Sequence, residues 1–128
     1  SIPERIEVIN NTLVDNHYGI TGGDSLLAFN NVITGTEKIA LKQVDGKSVL
    51  AFNLLWNNAV DNQGSHLEKK STMTRDPRLD GNHHLHSNSP CIDAGTSLYR
   101  QGDAVLLKIP RASFSGNAPD LGAFELAR

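Results

Sequence analysis

The chain has 128 residues, a length that fits a single domain able to bury a core. Its 12 Lys and Arg residues against 14 Asp and Glu leave a net charge of −2, so no global charge imbalance favours nucleic acid or an anionic membrane as partner. A single cysteine excludes an internal disulfide, and no apolar run approaches the roughly 18 residues of a membrane span.

The first residues, SIPERIEVIN, lack the basic and apolar parts of a secretory signal. The chain also begins without Met. We therefore expect a processed product, a trimmed chain or a piece of a longer protein.

Residues 6–66 contain a repeated asparagine-rich pattern. VINNTLV (8–14), AFNNVIT (28–34) and AFNLLWN (51–57) align with Asn10, Asn30 and Asn53 in register, at intervals of 20 and 23 residues. Periods of about 20 to 25 residues with short β-type segments indicate a solenoid of stacked coils. Helices are disfavoured because no apolar pattern with a 3.6-residue period is sustained.

Such a solenoid predicts short strands that each pair in parallel with a strand about 4.8 Å above, so that equivalent side chains form columns. Two interior columns are expected, one of Leu13, Ile33 and Trp56 and one of Val8, Ala28 and Ala51. The aligned asparagines are expected to form a hydrogen-bonded ladder at one bend. The alternative is a chance match in a chain with many asparagines.

Two parts of the sequence resemble known proteins. NNTLVDNHYGI resembles one coil of right-handed parallel β-helix proteins. DPRLDGNHHLHSNSPCIDAG (76–95) and IPRASFSGNAPDLGAFE (109–125) resemble, more closely, the closing segment of pectate-lyase-like β-helix proteins of the choice-of-anchor Q type. The matching residues are Asp76, Pro77, His84, Leu85, Ser89, Pro90, Ile92, Asp93, Ala94, Gly95, Pro110, Arg111, Asp120, Gly122, Ala123 and Glu125. His83, Cys91 and Phe124 are mild departures from that pattern.

The resemblance implies an all-β fold, a right-handed parallel β-helix of about three coils with an irregular C-terminal capping segment. Residues 1–70 would form the coils, and residues 71–128 would close the same domain. It also implies a secreted or bacterial cell-surface location and a polysaccharide ligand.

The last coil of a solenoid exposes apolar surface and unpaired strand edges, which the C-terminal segment is expected to cover. Asp93 and Asp120 precede turns that contain glycine, where a carboxylate can accept backbone N–H bonds. Arg111 is expected to pair with one of them or with Glu125. A calcium site or a catalytic pair is the alternative for these acids, although no D-x-[DN]-x-[DN]-G loop is present.

His83, His84 and His86 lie close to Cys91 in the sequence. Zinc sites need ligands at converging spacings, and HHLH offers neither a helical spacing nor a second cluster. We therefore predict structural histidines and no metal site. Cys91 follows Pro90 with no evident base nearby, which favours a packed side chain over a nucleophile.

Several polar residues are expected to face outward and are candidates for substrate binding: Asp15, His17, Tyr18, Lys38, Lys42 and His66. In DNHYG (15–19), an exposed His and Tyr could stack on a sugar and exchange protons. The plainer interpretation is a polar turn between coils. No catalytic constellation is evident, so the sequence leaves open whether the chain is an enzyme.

The leading functional hypothesis is the C-terminal end of a larger β-helix protein that binds or processes polysaccharide. The alternatives are a non-catalytic structural or adhesive module, or a uronate-polysaccharide lyase, hydrolase or epimerase. The edge near Ile6, Val8 and Ile9 is expected to meet upstream coils, a second polypeptide or another copy of the chain.

Overall fold

The computed structural model describes residues 6–126, which form an all-β fold with two short 3₁₀ helices. Nine short strands come first, followed by a hairpin. The strands are β1 (Ile6–Ile9), β2 (Thr12–Val14), β3 (Tyr18–Thr21), β4 (Leu26–Phe29), β5 (Val32–Thr34), β6 (Ile39–Lys42), β7 (Val49–Ala51), β8 (Leu54–Trp56), β9 (Val60–Gln63), β10 (Leu98–Gln101) and β11 (Ala104–Lys108). The 3₁₀ helices are Lys69–Ser71 and Arg111–Ser113.

The first nine strands repeat in triplets. Sheet A contains β1, β4 and β7, sheet B contains β2, β5 and β8, and sheet C contains β3, β6 and β9. All pairings within these sheets are parallel. Each turn of the chain thus adds one strand to each sheet, an arrangement consistent with a β-helix-like solenoid of three coils.

Each coil has three bends, and each bend has at least one residue in the left-handed region of backbone conformation. These residues are Asn10, Asn30 and Phe52 between sheets A and B, Asp15, Gly35 and Asn57 between sheets B and C, and Gly22, Gly23, Gln43, Gly46 and Gly64 after the strands of sheet C. Most are Asn, Asp or Gly, the residue types that adopt positive φ at least cost. The bends therefore explain why Asn, Asp and Gly are frequent in this part of the sequence.

The predicted register is correct between the first and second coils and wrong by one residue in the third. Leu13 pairs with Ile33, which pairs with Leu55 and not with Trp56. Likewise Val8 and Ala28 continue to Leu50 and not to Ala51. Because side chains alternate between the two faces of a strand, the slip places Trp56 outside, where 40 % of it is exposed.

The predicted asparagine ladder forms between Asn10 and Asn30, where Asn30 Nδ2 donates to Asn10 Oδ1 at 3.3 Å. Asn53 instead belongs to a second ladder, with Asn11 and Asn31. Asn53 Oδ1 accepts hydrogen bonds from the backbone N and from Nδ2 of Asn31, at 3.0 and 2.9 Å. Asn31 Oδ1 accepts from the backbone N of Asn11 at 2.8 Å. The buried amides of Asn31 and Asn53 thereby satisfy backbone groups at a bend where the sheet pairing is interrupted.

Residues 65–74 cover the open end of the third coil. Ser65 Oγ accepts from the backbone N of Val44, and the backbone N of Glu68 donates to the carbonyl of Leu50. Met73 forms a parallel bridge with Leu54, and Leu67 packs against the interior core. The capping predicted for the C-terminal segment is thus carried out by its beginning and by the residues just before it.

The tail, residues 76–126, runs back along the outside of the solenoid. The β10–β11 hairpin covers sheet A, where Leu107 and Tyr99 pack on Leu27 and Phe29. Other parts of the tail cover sheet B, where Cys91 and Leu121 join Val32 and Leu54 in a second cluster. The tail therefore buries the outward apolar side chains of two sheets and reaches the first coil.

At the first coil, sheet edges β1, β2 and β3 each have one partner strand among the described residues. Ile6 is exposed, Val8 packs against the interior core and Ile9 packs in the cluster under the hairpin. The predicted partner at this edge remains a prediction, and residues 1–5 lie outside the described part of the chain.

Candidate ligand-binding surfaces

Sheet C presents an exposed aromatic side chain with a cation beside it. Tyr18 begins β3 and is 37 % exposed, and Lys42 ends β6 in the neighbouring coil. Lys42 Nζ lies 5.4 Å from the centroid of the Tyr18 ring, within the range of a cation–π contact. The parallel pairing of β3 with β6 places Tyr18 beside Ile39 and Thr21 beside Lys42, so the long Lys42 side chain reaches back along the strands to the ring.

The residues before Tyr18 extend this surface. His17 Nδ1 lies 3.4 Å from Glu37 Oε2, and both side chains are more than half exposed. The ring of His17 meets the ring of Tyr18 edge to face at 5.1 Å. The backbone N of Lys38 donates to the carbonyl of His17, so Lys38 belongs to the same bend. The structure thus brings together four of the six predicted substrate-binding residues.

The other two predicted residues lie elsewhere. Asp15 lies at the bend between sheets B and C and lines a groove on the other side, described below. His66 is exposed at the end of the solenoid, where its backbone N donates to the carbonyl of Val44. Neither side chain belongs to the surface around Tyr18. Residues on opposite sides of a bend in a solenoid face different directions.

The Trp56 groove lies between the outer face of sheet B and the tail and has a volume of about 280 Å³. One wall comes from the bend between sheets B and C and the other from the first turn of the tail. The groove is lined by Val14, Asp15, Thr34, Gly35, Trp56, Asn57, Asp76, Pro77, Leu79, Asp80 and His83. Sequence reasoning missed it because Trp56 was assigned to the interior. The Asn57 that follows Trp56 marks the bend and was the available signal.

Two of the acids predicted to accept backbone hydrogen bonds in the C-terminal segment, Asp120 and Glu125, do so within that segment. Asp120 is fully buried, and its two carboxylate oxygens accept from the backbone N atoms of Asp93 and Leu126, both at 2.7 Å. Glu125 accepts from the backbone N atoms of Ser115 and Asp120. Burial raises the pKa of the Glu125 carboxyl, against the lowering effect of these two backbone hydrogen bonds. These contacts are those of turn acceptors.

Arg111 does not pair with these acids, contrary to the prediction. Its guanidinium donates to the carbonyl of Phe114 at 2.9 Å and lies 4.9 Å from the centroid of that ring. The 3₁₀ helix Arg111–Ser113 turns the side chain back toward its own segment. The Phe114 carbonyl is only three residues from Arg111 along the chain, so this contact costs less loop-closure entropy than an ion pair with a distant acid.

The three clustered histidines are separated by the turn that contains them. The His84 ring stacks on Phe124 with centroids 3.9 Å apart, while His83 lines the Trp56 groove and His86 is exposed beyond it. Within residues 6–126, no group of three or more His, Cys, Asp or Glu side chains is arranged to hold a metal ion.

Cys91 is a buried side chain of the cluster on sheet B. Burial raises the pKa of its thiol to about 11, so the nucleophilic thiolate is scarce at neutral pH. Its backbone N donates to Ser89 Oγ, which itself donates to the carbonyl of Pro77 at 2.5 Å. The Ser89 hydroxyl therefore links Cys91 to the earlier part of the tail at Pro77.

Comparisons of the chain with protein-family models, with curated proteins and with solved structures gave no significant match. Among residues 6–126, no helix has the length and apolar character needed to cross a membrane.

Proposed function

We propose that the chain is part of a right-handed parallel β-helix that binds an acidic polysaccharide through the surface formed by His17, Tyr18, Lys38 and Lys42. The observation that carries the proposal is the position of Lys42 beside the exposed ring of Tyr18, on a sheet that neither apolar cluster of the tail covers. The resemblance of the tail to closing segments of pectate-lyase-like proteins supports the same class of ligand.

The chemistry of this surface suits a hexuronate unit. Sugar rings present C–H groups that pack on an aromatic ring, and Tyr adds a hydroxyl that can bond to a sugar oxygen. A hexuronate lying against Tyr18 brings its carboxylate to the ammonium of Lys42, and Lys38 adds a second positive charge in the same bend. Because the surface is open, contacts with successive units of a polymer add to the affinity of one unit.

The test is calorimetric titration with an oligogalacturonate and with a neutral galacto-oligosaccharide of the same length. The acidic ligand is expected to bind more tightly, and Lys42→Met is expected to weaken its binding about tenfold, because one charge-assisted contact is lost. Tyr18→Ala is expected to weaken both ligands. Lys47→Met, at an exposed turn outside sheet C, is the matched control.

Unchanged affinity of the Lys42→Met variant, or equal affinity for the neutral ligand, contradicts the proposal. The same mixtures also test a lyase, since β-elimination produces an unsaturated uronate that absorbs in the ultraviolet. A rise in that absorbance which depends on His17 would assign catalysis to the surface instead of binding alone.

A further inference from the structure

We propose that the Trp56 groove is a second binding site, and that it takes the arginine side chain of a partner polypeptide. The groove combines an exposed aromatic ring with three carboxylates, Asp15, Asp76 and Asp80. It lies on sheet B and shares no lining residue with the surface around Tyr18, so the inference goes beyond the function proposed above.

The charge of the groove identifies the ligand class. The described residues that line it include three Asp, one His and no Lys or Arg. Within residues 6–126, the one ion pair shorter than 4.0 Å joins His17 to Glu37, so no Lys or Arg of this part of the chain neutralises the three carboxylates at that distance. A concave surface with an excess of negative charge attracts cations and repels uronates.

Two of the three carboxylates are held in place by backbone hydrogen bonds. Asp76 Oδ1 accepts from the backbone N of Arg78 at 2.8 Å, and Asp80 Oδ1 accepts from the backbone N atoms of Asn82 and His84. These bonds lower the pKa of the Asp80 carboxyl, which therefore stays ionised at neutral pH. Asp15 lies at the bend between sheets B and C, where its backbone is in the left-handed conformation. Fixed acceptors bind a cation without a large ordering cost.

Trp56 distinguishes arginine from other cations. A guanidinium is planar, so it can lie flat on an indole ring while its N–H groups reach carboxylates at the side. A lysine ammonium is a strongly hydrated point charge that gains less from such a surface. The volume of about 280 Å³ accommodates one long side chain and is small for an oligosaccharide. These properties together favour an arginine side chain.

The test uses the fluorescence of Trp56, the sole tryptophan of the chain, so the signal reports on the groove directly. The full chain is titrated with N-acetyl-arginine amide, with its neutral citrulline analogue, with N-acetyl-lysine amide and with a neutral disaccharide. We expect a saturable change with the arginine compound at millimolar concentration, about tenfold weaker binding of the citrulline analogue, and loss of affinity with added salt. N-acetyl-tryptophan amide with the same compounds corrects for collisional quenching.

Asp15→Asn and Asp76→Asn are expected to weaken the arginine compound about tenfold each. Both substitutions are compatible with the fold, because Asn57 occupies the bend position of Asp15 in the third coil and an Asn Oδ1 can still accept from Arg78. Asp103→Asn, at the exposed turn of the β10–β11 hairpin, is the matched control.

Three results would overturn the proposal: equal binding of the arginine and citrulline compounds, unchanged affinity in both groove variants, or saturable binding of the disaccharide with none of the arginine compound. Equal binding of the lysine compound would overturn the assignment to arginine. None of these experiments involves Tyr18 or Lys42, so their outcome tests the arginine site independently of the polysaccharide proposal.

Discussion

The side chain of Asn30 and the backbone of Thr96 form a reciprocal pair of hydrogen bonds that attaches the tail to the second coil. Asn30 Nδ2 donates to the Thr96 carbonyl, and Asn30 Oδ1 accepts from the Thr96 N–H, both at 2.8 Å. Asn30 is fully buried and its backbone carbonyl also accepts from Gly122. One residue at the bend between sheets A and B therefore binds two distant parts of the tail.

We expect Asn30→Ala to lower the free energy of unfolding by about 2 to 4 kcal/mol, because it leaves a backbone donor and a backbone acceptor of Thr96 without partners. Urea unfolding measures the loss, and hydrogen exchange of the Thr96 amide localises it. Asn117→Ala, at an exposed position of the tail, is the control and should change stability by less than about 0.5 kcal/mol. Equal stability of the two variants would show that the pair does not hold the tail.

The register of the third coil is tested by a pair of neighbouring substitutions. Leu55 is buried in the interior core, whereas Trp56 faces outward. Leu55→Ala is expected to cost about 2 to 5 kcal/mol through the cavity it leaves, and Trp56→Ala less than about 1 kcal/mol. Unfolding followed by circular dichroism gives both values. A larger loss of stability in Trp56→Ala than in Leu55→Ala would support the alternative register, in which Trp56 lies in the interior.

Gly95 is required by the close approach of the tail to the bend. A Cβ at this position would lie 2.8 Å from both Asn30 Oδ1 and the carbonyl oxygen of Pro119. Gly95→Ala should therefore destabilise the fold by about 1 to 3 kcal/mol. Gly81→Ala is the control, because nothing lies within 4 Å of a Cβ there. Thermal unfolding compares the two, and a neutral Gly95→Ala would mean that the tail is less closely packed than described.

Asp120 connects two parts of the tail, at Asp93 and at Leu126, through its buried carboxylate. In Asp120→Asn, the side-chain NH₂ faces a backbone N–H where the carboxylate oxygen was, so the cost should be about 1 to 3 kcal/mol. The melting temperature measures it. Calcium added to the unaltered chain should leave the melting temperature unchanged, and a rise that the variant lacks would instead identify Asp120 as a metal ligand.

The Tyr99 hydroxyl, which donates to Glu68 Oε2 at 2.5 Å, introduces a pH dependence in the alkaline range. The hydrogen bond raises the pKa of Tyr99 from 10.0 to about 12. Between these values the unfolded chain loses a proton that the folded chain keeps. The stability contributed by the bond is thus complete below pH 10 and is lost as the pH rises to about 12.

In Tyr99→Phe this loss should be absent, so the stability difference between the unaltered chain and the variant should shrink over that range. Urea unfolding at pH 9 and 11 measures the difference. Cys91, whose pKa is raised to about 11 by burial, also titrates there, but it is present in both chains and cancels in the comparison. A constant difference would contradict the role of the hydrogen bond.

The repeat could be recognised from the sequence because it reflects local chemistry. Each bend needs a residue at positive φ, which favours Asn, Asp and Gly at regular intervals, and each strand needs apolar side chains on its inner face. Parallel strands, the number of coils and the column from Leu13 to Ile33 follow from these two requirements. They involve residues a single coil apart, at separations of 20 to 22.

The register of the third coil needed the tertiary structure. AFNN and AFNL match letter for letter over Ala-Phe-Asn, yet the bend follows Ala51 and places Phe52 in the left-handed position that Asn30 holds above it. The physical reason is that the interior gains more from Leu50 and Leu55 than from Ala51 and Trp56, while Asn53 extends the buried ladder of Asn11 and Asn31. That choice depends on three coils at once.

The path of the tail was decided by the tertiary structure alone. Thr96 reaches Asn30 across 66 residues, and Gly122 reaches Asn10 across 112. These contacts follow no sequence period. They depend on which outward faces of the coils are apolar, and on the path by which the hairpin and the turns bring the tail to those faces. The same path determines which acids face Trp56, and so the groove exists only because the tail lies beside sheet B.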